Sequence, residues 1–551
     1  MRFQEATALG LLRAGLTAAK LTYASNQARI FPDSKAVAAN FPEVEDVELF
    51  SPAFTNPEGV PSGFANGTSG PTDEVTLDHF LRTLAARNEW MTYRGTDLRS
   101  EEGRPIPYVY LSTSGFVAAG GGDGLESRAN ASAPGKVRIW MQGGVHGNEP
   151  AGDQALLALL GKLDANATWA VSVLNKVDIM MLPRYNPDGV AYFQRYLATN
   201  YDPNRDHTKL ARQQTRDIKR LVMGFAPHVG VDCHEYSPAD PLGADGQWVE
   251  AQDGQFSAMK NANIHRDIRD LSETVFASAV AAAMGRRGLR WGPYATGTPG
   301  TDDVVLKETT GDAKMGDSSV ALGQAVVFLT ETRGIGLADQ HWRRRVAAGL
   351  TMVEAIVQAA ADRADEVYAT VEGARAKFVA GDDDIVVTES ARPTNISWQF
   401  IEAATGALVD VPVRFLNTTP VVAGLTRRRP AAYVFSRAWA DVAERLRVTG
   451  VDVRELRADF RGEVEALNVT GADAVDEGGV RFEGVARTAV KTETVRKEVR
   501  VPAGGFWVGT RQRNAAHAFV TLEPEGIDSY ATFNILPVSV GDEYPVYRVM
   551  A

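Results

Sequence analysis

Between Asp73 and Phe378, short apolar runs alternate with stretches of helical period, and that alternation leaves few architectures open. Leu77, Phe80, Leu81 and Leu84 recur at helical spacing, so Val75–Asn88 reads as an amphipathic helix. Pro107–Ser112 is a strand candidate. Val137–Gln142 is a short apolar strand closed by a Gly-Gly turn. Pro150 then opens a helix that Ala151–Leu163 continues, since proline in the first turn gives up an N–H that has no partner there. Val177–Leu182, His228–Cys233 and Ala325–Thr330 read as further buried strands. Leu271–Arg287 is an alanine-rich helix, and Gln340–Val367 a long one whose helical character runs on to Phe378. This order predicts an α/β fold with a mixed, mostly parallel sheet flanked by helices.

The texture changes on either side. Residues 1–71 read as an N-terminal arm or linker, dense in Pro, Gly, Asn and Ser from Ser51 to Pro71. Residues 72–379 form the central domain, and 380–551 read as a separate, mainly β domain. In that last part Ile385–Thr388, Val411–Phe415, Val499–Val501 and Phe519–Leu522 look like strands, with Ala432–Val448 as one helix among them. At roughly 100–200 residues per domain, 551 residues accommodate this division.

Charge and cysteine usage bound the partners. The net charge of −11 repels nucleic acid and anionic membrane surfaces, so neither is expected as a partner. Apolar runs such as Val275–Met284 are about half the length a membrane span needs. Cys233 is the one cysteine, which excludes an intrachain disulfide. Six Asn-x-Ser/Thr sequons, at Asn66, Asn130, Asn166, Asn395, Asn417 and Asn468, favour a secreted glycoprotein. Against that, Glu5, Arg13 and Lys20 interrupt the apolar stretch of a signal peptide.

Four clusters carry chemistry. Gly143-Gly144-Val145-His146-Gly147-Asn148-Glu149-Pro150 joins a buried strand to a helix, where open α/β sheets place their sites. Imidazole and carboxylate separated by two residues in a tight turn can reach one metal together. His234 stands at the end of another buried strand and supplies a third ligand; its second ring nitrogen needs a carboxylate, for which Asp232 and Glu235 are both local candidates. Glu331, in Thr330-Glu331-Thr332-Arg333, ends a third buried strand and faces the same rim, where a carboxylate can act as general base. Between them lie Asn186-Pro187-Asp188-Gly189, a turn sequence, then Arg195, then Asp202-Pro203-Asn204-Arg205-Asp206. The Arg205 fork and the Asn204 amide suit a carboxylate, and Arg195 suits an oxyanion. Cys233 points away from its strand neighbour His234, and Arg343, Arg344 and Arg345 read as a solvated helix face.

In this order the clusters resemble the M14 zinc metallocarboxypeptidases over roughly Asp73 to Arg375, as a larger subgroup with a β-type C-terminal extension. The resemblance implies one zinc ion on His146, Glu149 and His234, with Glu331 as general base toward a metal-activated water. It implies that Asn204 and Arg205 grip the C-terminal carboxylate of a peptide or protein substrate, and that Arg195 polarises the scissile carbonyl. Two features depart from the pattern, one being Glu235-Tyr236 after the third ligand, where digestive members of the family often have Ser-Tyr. The family carries a mobile tyrosine about twenty residues before the base, but Thr309–Gly316 holds none, and Tyr294 is the nearest upstream. A second reading of the same residues is an M14-related amidohydrolase that deacylates N-acyl amino acids.

Overall fold

Eight strands make the central sheet: β1 (Met91–Arg94), β2 (Tyr108–Leu111), β3 (Val137–Gly143), β4 (Val177–Leu182), β5 (Val229–Tyr236), β6 (Gly254–Ala258), β7 (Trp291–Pro293) and β8 (Val326–Arg333). Their spatial order in the computed structural model is β1-β2-β4-β3-β5-β8-β6-β7. The middle four, β4, β3, β5 and β8, are parallel. They are flanked by β2 and β6, which run antiparallel to them. Every residue of β4, β5, β6 and β8 is buried, which is why the parallel strands β4, β5 and β8 begin as apolar runs rather than alternating ones. The structure describes residues 28–54, 72–114, 135–238, 241–475 and 481–551. Asn66, Asn130, the start of the chain and most of the expected Ala118–Gly135 loop lie outside the described residues.

Helices cover the sheet: α1 (Glu74–Arg87), α2 (Pro150–Ala165), α3 (Gln213–Phe225), α4 (Trp342–Asp362) and α5 (Ala364–Ala380). The long helix expected from Gln340 is two helices, because Arg363 leaves helical geometry at φ −119°, ψ 30°. Gly349 of α4 lets the helix lie close to α2, where a Cβ would come 2.9 Å from Cβ of Ala155. The arginines at the start of α4 are not a solvated face. Arg344 pairs with Asp253 at 2.6 Å and Arg345 with Glu235 at 2.8 Å, all four side chains buried. These carboxylates sit on or beside β5 and β6, out of reach of any local pattern in the helix.

The N-terminal segment packs onto this region: Asp33 receives two hydrogen bonds from Arg333, at 2.5 and 2.8 Å. In the C-terminal part, a six-stranded antiparallel sheet is built on Ala432–Phe435, Phe460–Ala474, Thr488–Val501, Phe506–Gly509 and Val546–Val549, with Arg454–Glu455 at its edge. A second sheet joins the hairpin Glu389–Glu402/Leu408–Ala423 to Trp248–Glu250, Ala295–Gly297 and Val305–Glu308 of the central region. Two elements differ from expectation. Phe519–Leu522 ends a helix, Ala515–Leu522, and the helix expected over Ala432–Val448 begins as a strand and becomes helical only at Ala440–Val448. Short apolar runs of this kind fit either periodicity, and tertiary packing decides between them. One buried apolar cluster extends from Val44 to Val546 and includes residues of the central sheet and of the C-terminal sheet. Among the described residues no helix is long and apolar enough to cross a membrane.

Candidate functional site

β3, β5 and β8 end on one rim. Gly143 is registered opposite Cys233, and His234 of β5 stands directly opposite Glu331 of β8. The chain leaves β3 toward β4 on one side and returns to β5 on the other, so a crevice opens at the carboxyl ends of these strands. The backbone past β3 turns with Gly144 at φ 58°. Gly147 then meets the Asn186–Gly189 turn so closely that a Cβ would fall 1.9 Å from the carbonyl carbon of Gly189. Asn186 Oδ1 accepts the Gly189 N–H at 2.8 Å and caps the short helix that follows. Glu149 occupies the N-cap of α2 without a side-chain capping bond, which leaves its carboxylate turned into the crevice.

Three side chains converge there. His146 Nδ1 is 2.8 Å from Glu149 Oε1, His234 Nδ1 is 3.0 Å from Glu149 Oε2, and the two Nδ1 atoms are 3.2 Å apart. All three residues are buried, and their ligand atoms lie within 4.8 Å of one another. The far ring nitrogens face carboxylates: His146 Nε2 is 3.1 Å from Asp202 Oδ1, and His234 Nε2 is 3.1 Å from Asp232 Oδ1. Strand alternation places Asp232 on the face of His234 and sends Cys233 and Glu235 to the other face. Of the two candidate partners for His234, Asp232 is therefore the one in contact, while Glu235 is held by Arg345. The Cys233 thiol is pushed up to about 12 by burial, so it stays protonated and outside the cluster.

Electrostatics follow the geometry. Burial opposes the charge of Glu149, yet the two imidazoles outweigh it and hold the carboxyl well below the usual range. Burial also opposes a charged His234, but Asp232 and Glu149 raise its pKa well above the ordinary value. Glu331 is pushed the other way. Burial, with Glu149 and Asp232 nearby, raises its pKa against the pull of His234 and Arg195. Its Oε2 is buried and makes no hydrogen bond.

Arg195 reaches the same cluster, with Nε 2.9 Å from Asp202 Oδ2 and Nη1 3.2 Å from Glu149 Oε1. Burial weakens its charge, but Asp202 and Glu149 outweigh that and raise its pKa. Asn204 accepts the Gly316 N–H on Oδ1 at 2.7 Å and gives its own N–H to Asp202 Oδ1 at 2.8 Å. Arg205 is half-buried beside it and donates to the Asn204 carbonyl at 2.8 Å. The seven residues singled out in the sequence thus come together in one crevice.

Two further residues were visible in the sequence but carried no assigned role there. Asp202 stood in a motif already noted, but its contacts with His146 and Arg195 depend on the folded loop. Tyr294 is half-buried, and its phenol pKa is raised first by burial and then by the charges of Glu331 and Glu149. The Tyr294 carbonyl accepts the Thr309 N–H at 3.1 Å, so sheet pairing carries this tyrosine to the stretch where the resemblance expected one and the sequence has none.

Residues 77–249 match the family model described as zinc carboxypeptidase (Peptidase M14). Carboxypeptidase 2 of Trichophyton tonsurans is 48% identical, covering 100% of this chain and 99% of that protein. A probable carboxypeptidase 2 of Arthroderma benhamiae is 47% identical over 97% of this chain and 99% of its own. A solved metallo-carboxypeptidase from Burkholderia cenocepacia superposes over 52% of this chain and 69% of its own, with a TM-score of 0.38 and 15% identity. By its full-length sequence matches, the chain belongs to the M14 family of zinc carboxypeptidases and is a metallocarboxypeptidase.

Proposed function

We propose that the chain holds one zinc ion on His146, Glu149 and His234 and hydrolyses the C-terminal peptide bond of peptides or proteins. The observation that carries this is the convergence of two imidazole Nδ1 atoms and one carboxylate within 4.8 Å, each ring backed by its own carboxylate. That donor set, two histidines and a glutamate, is a standard catalytic zinc set, and the backing carboxylates fix the ring orientation it needs. Zinc bound there supplies Lewis-acid polarisation of the scissile carbonyl and acidifies the attacking water.

The chain's own groups do the rest. Asn204 and Arg205 bind the substrate's terminal carboxylate and so select the last peptide bond. Arg195 donates to the oxygen of the scissile carbonyl as negative charge develops. Glu331, whose Oε2 is unpartnered, takes the proton of the attacking water and returns it to the leaving amine.

A peptide mixture incubated with the purified chain, with and without a zinc chelator, and read by mass spectrometry tests the proposal. Loss of single C-terminal residues, stopped by chelation and restored by zinc, is expected. Turnover of N-acyl amino acids with peptides left intact would move the assignment to the deacylase reading.

A further inference from the structure

The C-terminal region reaches the crevice. Phe482, Glu483, Gly484 and Val485 form a tight hairpin turn, with Phe482 and Val485 exchanging two N–H···O bonds at 2.9 Å. Both central residues are left-handed, Glu483 at φ 48° and Gly484 at φ 77°. Asn-Gly is the preferred pair for such a turn, and glutamate is an unfavourable choice at its first position. Backbone strain of this kind persists where a contact requires it. Here Glu483 Oε2 accepts the backbone N–H of Asp202 at 2.8 Å. Asp202 in turn touches His146 and Arg195.

The neighbouring residues hold the other end of the same segment. The Lys209 ammonium is buried over two aromatic rings of the C-terminal region, 5.1 Å from the centroid of Phe482 and 5.5 Å from that of Phe533. Arg445 donates to the carbonyls of Lys209 and Leu210. Asp528 receives the Lys314 N–H at 3.3 Å, and the Lys314 carbonyl accepts the N–H of His207 at 3.1 Å. The stretch bearing Asn204 and Arg205 is therefore anchored at its start, its end and its flank by residues between 445 and 533.

We propose that the C-terminal region is the positioning element of the carboxylate-binding segment 202–210, with Glu483 and Phe482 as its positioning residues. This rests on the reading of Asn204 and Arg205 as the grip on the substrate carboxylate. The segment has little regular structure of its own, one short helical turn at Pro203–Arg205, so the orientation of Arg205 depends on these outside contacts. Glu483 fixes the entry to that turn through Asp202, and the aromatic pair fixes the exit through Lys209.

The test is steady-state kinetics of the full-length chain on a peptide with a free C-terminus, alongside bound-metal content. The variants are Glu483→Ala, Glu483→Gln, Phe482→Ala and Arg205→Met. Glu483→Ala and Phe482→Ala are expected to raise KM about tenfold with kcat and metal content nearly unchanged, the pattern of lost uniform binding. Glu483→Gln keeps an acceptor for the Asp202 N–H, so it should retain the parent KM. Arg205→Met should raise KM at least as far. An unchanged KM in Glu483→Ala and Phe482→Ala, with a raised KM in Arg205→Met, overturns the positioning role and leaves the assignment of Arg205 intact. An unchanged KM in Arg205→Met overturns the assignment itself. Loss of metal in Glu483→Ala at unchanged KM also overturns the proposal, since the contact would then serve the metal cluster. Should Glu483→Ala fail to fold, Lys209→Met removes the caged charge from the other side and is read by the same criteria.

Discussion

Each imidazole at the centre leans on a carboxylate that it does not share, His146 on Asp202 and His234 on Asp232. Such a partner fixes the tautomer and raises the basicity of the ligand, and removing it typically costs about 10–100-fold in metal affinity. Asp202→Asn keeps the shape but loses the charge that faces both His146 and Arg195. Its zinc affinity, measured against a competing chelator, should fall by about that factor. Glu331→Gln should behave in the opposite way. Metal content should be retained while kcat drops by about 10²–10⁴, the usual contribution of a positioned general base. Loss of metal in Glu331→Gln would make Glu331 a ligand rather than the base. The residues proposed as metal ligands and base were legible because they stand at or just past the ends of recognisable buried strands, and His146 and Glu149 share one turn. Tyr294 was not, because its place depends on sheet pairing with Thr309, which no local spacing encodes. Glu483 was further out of reach, since its partner Asp202 is 281 residues away in the chain.

At the scale of elements, the parallel strands were legible because full burial on both faces writes a continuous apolar run. The helices beside them hide more. α3 presents Ile218, Leu221, Val222 and Phe225 at helical spacing, but it also buries Lys219, whose Nζ makes no hydrogen bond. Burial lowers that lysine to about 7, against the pull of Asp317 and Asp232. In the unfolded chain it titrates near its ordinary value of about 10.4. Between these two values the unfolded state binds the extra proton, so the term destabilises the fold fully below about pH 7 and fades as pH rises toward 10. Lys219→Met removes it. The variant should melt at higher temperature than the parent at pH 6, with the difference shrinking steadily up to pH 10. Thermal melts across that range read the effect, and a variant that melts below the parent by a steady amount from pH 6 to pH 10 would show that Lys219 is charged and paired in the folded chain. The same limit of local reading explains Arg344 and Arg345, whose buried partners Asp253 and Glu235 lie on other elements.

The whole molecule is joined more tightly than its sequence texture implies. The buried apolar cluster runs without a break from Val44 to Val546, taking in Ile139 and Phe328 of the central sheet and Phe435 and Val508 of the C-terminal one. A second sheet is shared, with Val305–Glu308 paired in parallel to Leu408–Ala423. Buried ion pairs cross the same boundary, as between Lys314 and Asp528, whose side chains are almost wholly enclosed. Independent domains show few contacts across the linker that joins them and unfold separately. With a common core, a common sheet and enclosed charges, the central and C-terminal parts should unfold as one cooperative unit. Scanning calorimetry of the full chain is expected to give a single transition. A chain ending near residue 380 would expose Phe378 of α5, which now packs against Phe519, and would leave Lys314 without Asp528. It should accordingly bind a hydrophobic dye and lose near-ultraviolet dichroism, the marks of lost packing. Two separated transitions, or a soluble and fully packed shortened chain, would show instead that the two parts fold alone, and the C-terminal contacts at Asp202 and Lys209 would then be a docked interface.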